Sequence, residues 1–278
     1  MTYPPINRGT SRGRELKTLT LTSAYLLVSH GSRDPRPQMA LERLAYLLKQ
    51  QLSVRLGGMI YLELEKNYNK TAVLTPLSPI LVETASLELT SVPLNIKIQQ
   101  VAQQVNTRGQ KNLKIIPLFL LPGVHVTEDI PKEIAIAQQV LGHTCTLELC
   151  PYLGSNRGLT ELIARQFPSQ TQEGKIILAH GSRYPGGNEP VKAMAISLNA
   201  VAAYWSVAPS LAQQITILAQ QGKERITIVP YFLFPGGIIR AIAQQIEQLQ
   251  TTLPQVQLQL AHPLGATPEL AQLIIDRL

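Results

Sequence analysis

AYLLVSHGSRDPRPQMA, residues 24–40, is matched later in the same chain by KIILAHGSRYPGGNEPVKAMA, residues 175–195. Two further pairs follow in the same order. LKIIPLFLLPGVHVTEDI (113–130) matches RITIVPYFLFPGGIIRAI (225–242), and LELCPYLGSN (147–156) matches LQLAHPLGAT (258–267). Three ordered matches are the signature of an internal duplication. The first interval is longer in the first copy, which therefore holds about 37 extra residues. Residues 54–82, with Gly57-Gly58, Pro76 and Pro79, are the natural place for them. The chain divides on this reading into a tail (1–22), an N-terminal lobe (23–155, insertion at about 54–82) and a C-terminal lobe (156–278).

Each copy alternates strand-like and helix-like segments. Short runs at 24–29, 114–121, 145–150, 175–179, 225–234 and 256–261 are apolar on both faces and bounded by Gly, Pro or polar residues. Such runs belong to parallel sheets covered by helices. Between them, Leu41, Leu44, Ala45, Leu48 and Leu52 recur at helical spacing, as do Ile215, Leu218 and Ala219, and then Ile242, Ile246 and Leu249. The fold class is therefore α/β, two similar lobes each with a parallel sheet flanked by helices. Helices at 157–166 and 267–278 are candidates to cross onto the opposite lobe. Ligands of such folds sit beyond the carboxyl ends of the strands.

The chain has 278 residues, 45% hydrophobic and 15% charged. The charged share lies below the roughly 25% of an average soluble chain, and the length buries a core without staples, so disorder, collagen and disulfide scaffolds are excluded. The net charge of +7 invites a nucleic-acid reading. The tail, however, concentrates Arg8, Arg12, Arg14 and Lys17 against Glu15 alone, and each lobe is only mildly basic. With few aromatics and no recognition motif, nucleic acid is not an expected partner. The longest apolar run, near Ile115–Val124, is interrupted by proline and falls far short of the roughly 20 residues a spanning helix needs, so no membrane is expected. Cys145 and Cys150 lie five apart, which on one strand faces them to opposite sides, so they read as buried thiols. The tail reads as a flexible extension rather than a transit peptide, and the protein as cytoplasmic.

Chemistry-bearing residues gather where strands end. His30 follows AYLLVS, and His180 is its counterpart in the second copy. His125, in PGVHVTEDIP, follows the strand at 114–121; aligning Pro122-Gly123 with Pro235-Gly236 puts Ile238 opposite it. Glu88, in ETASLELTSVPL, has Trp205 or Tyr204 near the equivalent point, whereas Glu63 shares its flanks but lies in the insertion. Only the first lobe thus offers two imidazoles and a carboxylate, a donor set suited to Fe²⁺, Co²⁺, Ni²⁺ or Zn²⁺. Thr127 is a candidate helix cap, with Glu128 and Asp129 complementing the helix dipole and a role in handling a cation as the alternative. Ser32 and Ser182 lack the strand–GxSxG–helix context of a serine nucleophile.

HGSRDP at 30–35, LEL around Glu88, PLFLLPGVHVTEDIP at 117–131 and the PLG-type segments at 151–155 and 263–266 resemble those of the long, two-lobed sirohydrochlorin chelatases. These are class II chelatases, related in fold to protoporphyrin ferrochelatase. The resemblance runs over nearly all of 24–278 except the insertion. It implies a metal chelatase, a lyase that inserts a divalent metal into sirohydrochlorin, with iron as first expectation (siroheme) and cobalt as second (cobalamin). It also implies that His30, His125 and Glu88 bind the metal and catalyse its insertion, and that His180 belongs to a degenerate copy. The metal is then substrate, with no permanent cofactor, and handover partners in the tetrapyrrole pathway are conceivable. Sirohydrochlorin carries eight carboxylates, so Arg33 and Arg183, with Arg36 and Arg240, are candidates to hold them. A non-catalytic metal or tetrapyrrole carrier is the competing reading.

Overall fold

The computed structural model describes residues 23–66, 80–168 and 173–278. The N-terminal tail, and residues 67–79 of the expected insertion, lie outside this set. Strand β1 (Ser23–Ser29) leads into α1 (Pro35–Lys66), a 32-residue helix that extends through the first part of the expected insertion. Then come β2 (Val82–Ser86), α2 (Leu94–Thr107), β3 (Asn112–Pro117), α3 (Ile130–Leu141), β4 (Thr146–Leu149) and α4 (Leu159–Ala164). The second copy runs β5 (Gly174–Ala179), α5 (Glu189–Ser197), β6 (Val201–Tyr204), α6 (Leu211–Gln220), β7 (Arg225–Tyr231), α7 (Gly237–Thr252), β8 (Gln257–Leu260) and α8 (Pro268–Ile275).

The strands form two four-stranded sheets, ordered β2-β1-β3-β4 and β6-β5-β7-β8, with every pairing parallel. The same order in both sheets is the structural image of the sequence repeat. Along β1, Ala24, Leu26 and Val28 face one buried layer with α2 and α3, whereas Tyr25 and Leu27 face another with α1. β5 divides likewise, with Ile176 and Leu178 toward α6 and α7, and Ile177 and Ala179 toward the other side. This two-faced burial is why the central strands read as unbroken apolar runs. The cysteines separate as their spacing requires: both are unbonded and buried, Cys145 in one layer and Cys150 in the other.

The inner faces of both sheets share one core, to which Leu44 and Leu48 of α1, Leu159 and Ile163 of α4, and Leu270 and Ile274 of α8 all contribute. α8 returns to the first copy. Gln51 Nε2 donates to the Pro268 carbonyl (2.9 Å), and Lys114 Nζ donates to that of Leu278 (2.7 Å). Asn156 Nδ2, before α4, donates to the Leu273 carbonyl (3.0 Å). The C-terminal helix thus crosses between copies and locks the two sheets together.

Three expectations shift. The apolar runs at 114–121 and 225–234 outlast their ladders, which end at Pro117 and Tyr231. Strands β2 and β6 fall outside the expected runs: each lies at a sheet edge and is partly buried, β2 with the mixed sequence VETAS and β6 with only the four apolar residues VAAY. The chain after β3 makes a π turn, His125–Asp129, so α3 begins at Ile130, three residues beyond the candidate cap Thr127.

Candidate metal centre

The chain leaves β1 for β2 on one side and returns to β3 on the other, so the carboxyl ends of these strands form the switch point of the sheet. His30 follows β1, Glu88 follows β2, and His125 opens the π turn after β3. The structure brings all three together, with one donor atom from each lying within 4.8 Å of the others. His30 Nε2 is 3.8 Å from Glu88 Oε2, and His125 Nδ1 is 4.0 Å from Glu88 Oε1. The imidazoles meet edge to face, centroids 5.0 Å apart, beside the Phe119 ring. Donors sharing one ion at about 2.1 Å lie roughly 3–4 Å apart, so small adjustments close this set around a metal.

Local backbone explains the convergence. The amides of Leu87 and Glu88 donate to the carbonyls of Ser29 (2.8 Å) and His30 (2.9 Å), carrying the β1–β2 pairing past the strand ends. Gly31, at φ +99°, leaves room for the Glu88 carbonyl, and Leu89 takes φ +53° to turn the chain away. A non-glycine residue in that region is strained, a condition that clusters at functional sites. His30 Nδ1 lies 3.3 Å from the Gly31 carbonyl, an oxygen that can only accept, and Nε2 is the nitrogen that faces Glu88; with Nδ1 as donor, Nε2 is the one free to ligate. His30 and Glu88 side chains are each half exposed and His125 is 28% exposed, so an incoming ion can reach all three.

The second sheet repeats this backbone without the donors. Trp205 and Ser206 donate to the carbonyls of Ala179 and His180 (2.9 Å each), as Leu87 and Glu88 do to Ser29 and His30. The counterpart of Glu88 is therefore Ser206, not Trp205 or Tyr204; its hydroxyl donates to the His180 carbonyl (2.9 Å). His180 keeps the same turn, Nδ1 3.0 Å from the Gly181 carbonyl, but among the described residues it belongs to no cluster of metal donors.

A cavity of about 350 Å³ opens between the copies. His30 and His180 line it together with Phe232, Phe234, Ile238 and Ile239, so the second copy supplies an apolar wall to the donor edge of the first. A larger open groove, about 690 Å³, lies among α1, α4 and α8, but its lining holds no imidazole or thiol.

Arg33 and Arg183 stand exposed on the two HGSR turns and are not among the residues lining the cavity between the copies. The organised cationic feature involves other residues. Asp34 accepts from Arg36 Nε (2.9 Å) and has Arg240, from the second copy, 3.8 Å away. The bond from Arg36 first, then both cationic charges, hold the Asp34 carboxyl down at about 2. Ser32 and Ser182 hydroxyls accept backbone N–H groups from Asp34 (3.0 Å) and Tyr184 (3.1 Å), a turn-forming role. Thr127 does not cap a helix; its hydroxyl donates to the Gly123 carbonyl (3.1 Å). Asp129, which the sequence assigns to the helix dipole with a role in handling a cation as the alternative, has its Oδ2 2.7 Å from His125 Nδ1. The i,i+4 spacing was the available sequence signal for that contact.

Comparison with known proteins follows the same two-copy division. A sirohydrochlorin cobaltochelatase of Priestia megaterium is 24% identical over 217 residues, covering 71% of this chain and 68% of that one. A sirohydrochlorin ferrochelatase of the same organism is 24% identical over 185 residues, covering 62% and 68%. Among solved structures, SirB from Bacillus subtilis with Fe³⁺ superposes with a TM-score of 0.68 at 18% identity, covering 92% of this chain and 94% of that one. SirB from Bacillus subtilis subspecies spizizenii in complex with cobalt gives 0.64 at 19%, covering 92% and 93%. These likenesses show a shared fold. The CbiX family model matches twice in succession, over residues 72–170 and 174–278, once in each copy of the duplication, and the chain belongs to the CbiX family.

Proposed function

We propose that this chain is a metal chelatase that inserts a divalent metal into sirohydrochlorin, with Fe²⁺ as the ion and Co²⁺ as the alternative. Residues 23–155 form the metal-handling lobe, and 156–278 supply the opposing wall of the substrate cleft. The observation that carries this reading is the convergence of His30, Glu88 and His125 at one sheet edge, with His30 also lining the cavity between the copies. The two curated relatives, named for cobalt and for iron insertion, support it. Nothing in a set of two imidazoles and one carboxylate discriminates between those ions.

Insertion exchanges M²⁺ for two pyrrolic protons, giving the metallated macrocycle and two H⁺. Neutral imidazole both ligates an ion and accepts a proton near neutral pH, and the Glu88 carboxylate offsets the cation's charge while water is stripped from it. The phenyl rings of Phe232 and Phe234 offer flat apolar contact to the macrocycle. Among the described residues no helix is long and apolar enough to cross a membrane. The two free cysteines accord with a reducing cytoplasm.

The test is anaerobic incubation of sirohydrochlorin with Fe²⁺ or Co²⁺, with and without the protein, following the absorption change of metallation. Acceleration over the protein-free rate is the expected result. Tight binding of metal or macrocycle without acceleration contradicts it and identifies a carrier.

A further inference from the structure

The side chain of Asp129 belongs to no other described partnership. It makes no cap hydrogen bond at the π turn or at α3, and it lies outside the set of mutually close donors. Among the described residues its one polar contact is Oδ2 to His125 Nδ1, 2.7 Å, within a turn closed by the Ile130 N–H donating to the His125 carbonyl. That i→i+5 bond fixes the backbone between the two residues, so their side chains are held on one short rigid loop. π turns of this kind occur mostly at functional sites.

We infer that Asp129 is a positioning residue, whose carboxylate accepts the Nδ1 proton of His125 and thereby fixes both the tautomer and the ring orientation of that imidazole. This rests on the metal-insertion reading of the same edge and deepens it. A carboxylate only accepts, so a hydrogen bond to it places the proton on Nδ1. Nδ1 also lies 4.0 Å from Glu88 Oε1 but is engaged by Asp129, so Nε2, which then carries the lone pair, is the nitrogen left to meet a metal or take a proton once the ring adjusts. Imidazoles that bind metals regularly hold their second N–H on a carboxylate, and loss of that partner costs about 10–100-fold in metal affinity. His30 achieves the same end differently, with the Gly31 carbonyl as acceptor. Both imidazoles are thus held as Nδ1–H tautomers, one by backbone and one by Asp129. The second copy needs no such residue, since Ile238 stands where His125 does.

The first readout needs no metal. In protein labelled with ¹⁵N-histidine at pH 8, long-range ¹H–¹⁵N correlation distinguishes the two tautomers, and the signals missing from His125→Gln identify His125. The Nδ1–H form is expected in the wild type, and a shift toward Nε2–H, which unrestrained imidazole favours, in Asp129→Ala. The second readout is Co²⁺ affinity, with the metal alone as probe. Asp129→Ala is expected to lose about 10–100-fold, and Asp129→Asn, which keeps an oxygen acceptor of the same shape, to lose much less. An Nε2–H tautomer in the wild type overturns the inference. So does unchanged affinity in Asp129→Ala, or an Asn variant as impaired as Ala, which would make the carboxylate itself a ligand. Circular dichroism on both variants separates a folding defect from these outcomes. Failure of wild-type protein to bind Co²⁺ counts against the metal-insertion reading instead and leaves the tautomer result standing.

Discussion

Gly31 and Glu88 are in direct backbone apposition: a Cβ added at Gly31 would stand 2.0 Å from the Glu88 carbonyl oxygen. Only glycine fits at residue 31, both for this approach and for its φ of +99°. Gly31→Ala must push the end of β2 away and carry Glu88 out of reach of His30. The variant is expected to lose at least tenfold in Co²⁺ affinity, together with about 1–3 kcal/mol of stability from the strained backbone. Isothermal titration and urea unfolding measure the two; wild-type values in both contradict the packing.

If the second edge lost its metal site through Glu88→Ser-like and His125→Ile-like replacements, restoring the donors tests that directly. Ser206→Glu combined with Ile238→His rebuilds the triad around His180, whose ring already has the orientation of His30. Wild type is expected to bind one Co²⁺ at this class of site and the double variant two, the added one weaker. Equilibrium dialysis reads the stoichiometry, and a single ion in the double variant counts against structural equivalence of the edges.

Burial raises the Tyr25 hydroxyl from its usual 10 to about 12, helped by the nearby Cys150 and Glu148 charges. Burial likewise pushes the Cys150 thiol from 9.0 to about 11. In the unfolded chain both groups release protons at lower pH than in the fold, so the native state binds more protons above pH 9. Their contribution is whole below that point and is lost as pH rises from about 9 through 12, at roughly 1.4 kcal/mol per pH unit for each group. Tyr25→Phe keeps the ring packed and removes one group. Denaturant melts across pH 8–11 are expected to show a shallower loss of stability in the variant than in the wild type; parallel slopes contradict this.

Asp34 joins the copies through Arg36 on one side and Arg240 on the other. Its carboxyl ionises at about 2 in the fold against 3.8 ordinarily. Any stability it adds is therefore complete above about pH 4 and fades as pH falls toward 2. The difference in melting temperature between wild type and Asp34→Asn is expected to be small, constant from pH 5 to 8, reduced by salt and shrinking below pH 4. A difference that grows on acidification reverses the sign and excludes the pairing.

The duplication, the alternation and six of the eight strands were legible because β1, β3, β5 and β7 are largely buried on both faces and β4 and β8, exposed edge strands, follow repeated motifs. β2 and β6 escaped notice because VETAS mixes polar residues into a partly solvated edge strand, and VAAY, though apolar, is only four residues long. His30, Glu88 and His125 were legible as a group, since each ends a strand and the sister copy lacks two of them. The Ser206 equivalence was not, because it follows from backbone hydrogen bonds rather than residue type. The Asp129 contact was masked by an equally good local explanation, an acid at the start of a helix. Only the distance to His125 decides between the two.

On the proposed function, the edge of the first copy performs the insertion and that of the second does not. The initial rate of Co²⁺ insertion into sirohydrochlorin by His125→Ala, beside wild type and His180→Ala, tests it most directly. Loss of about 100-fold or more in His125→Ala is expected, with His180→Ala retaining most of the activity. Wild-type turnover by His125→Ala, or its loss only in His180→Ala, would contradict the assignment.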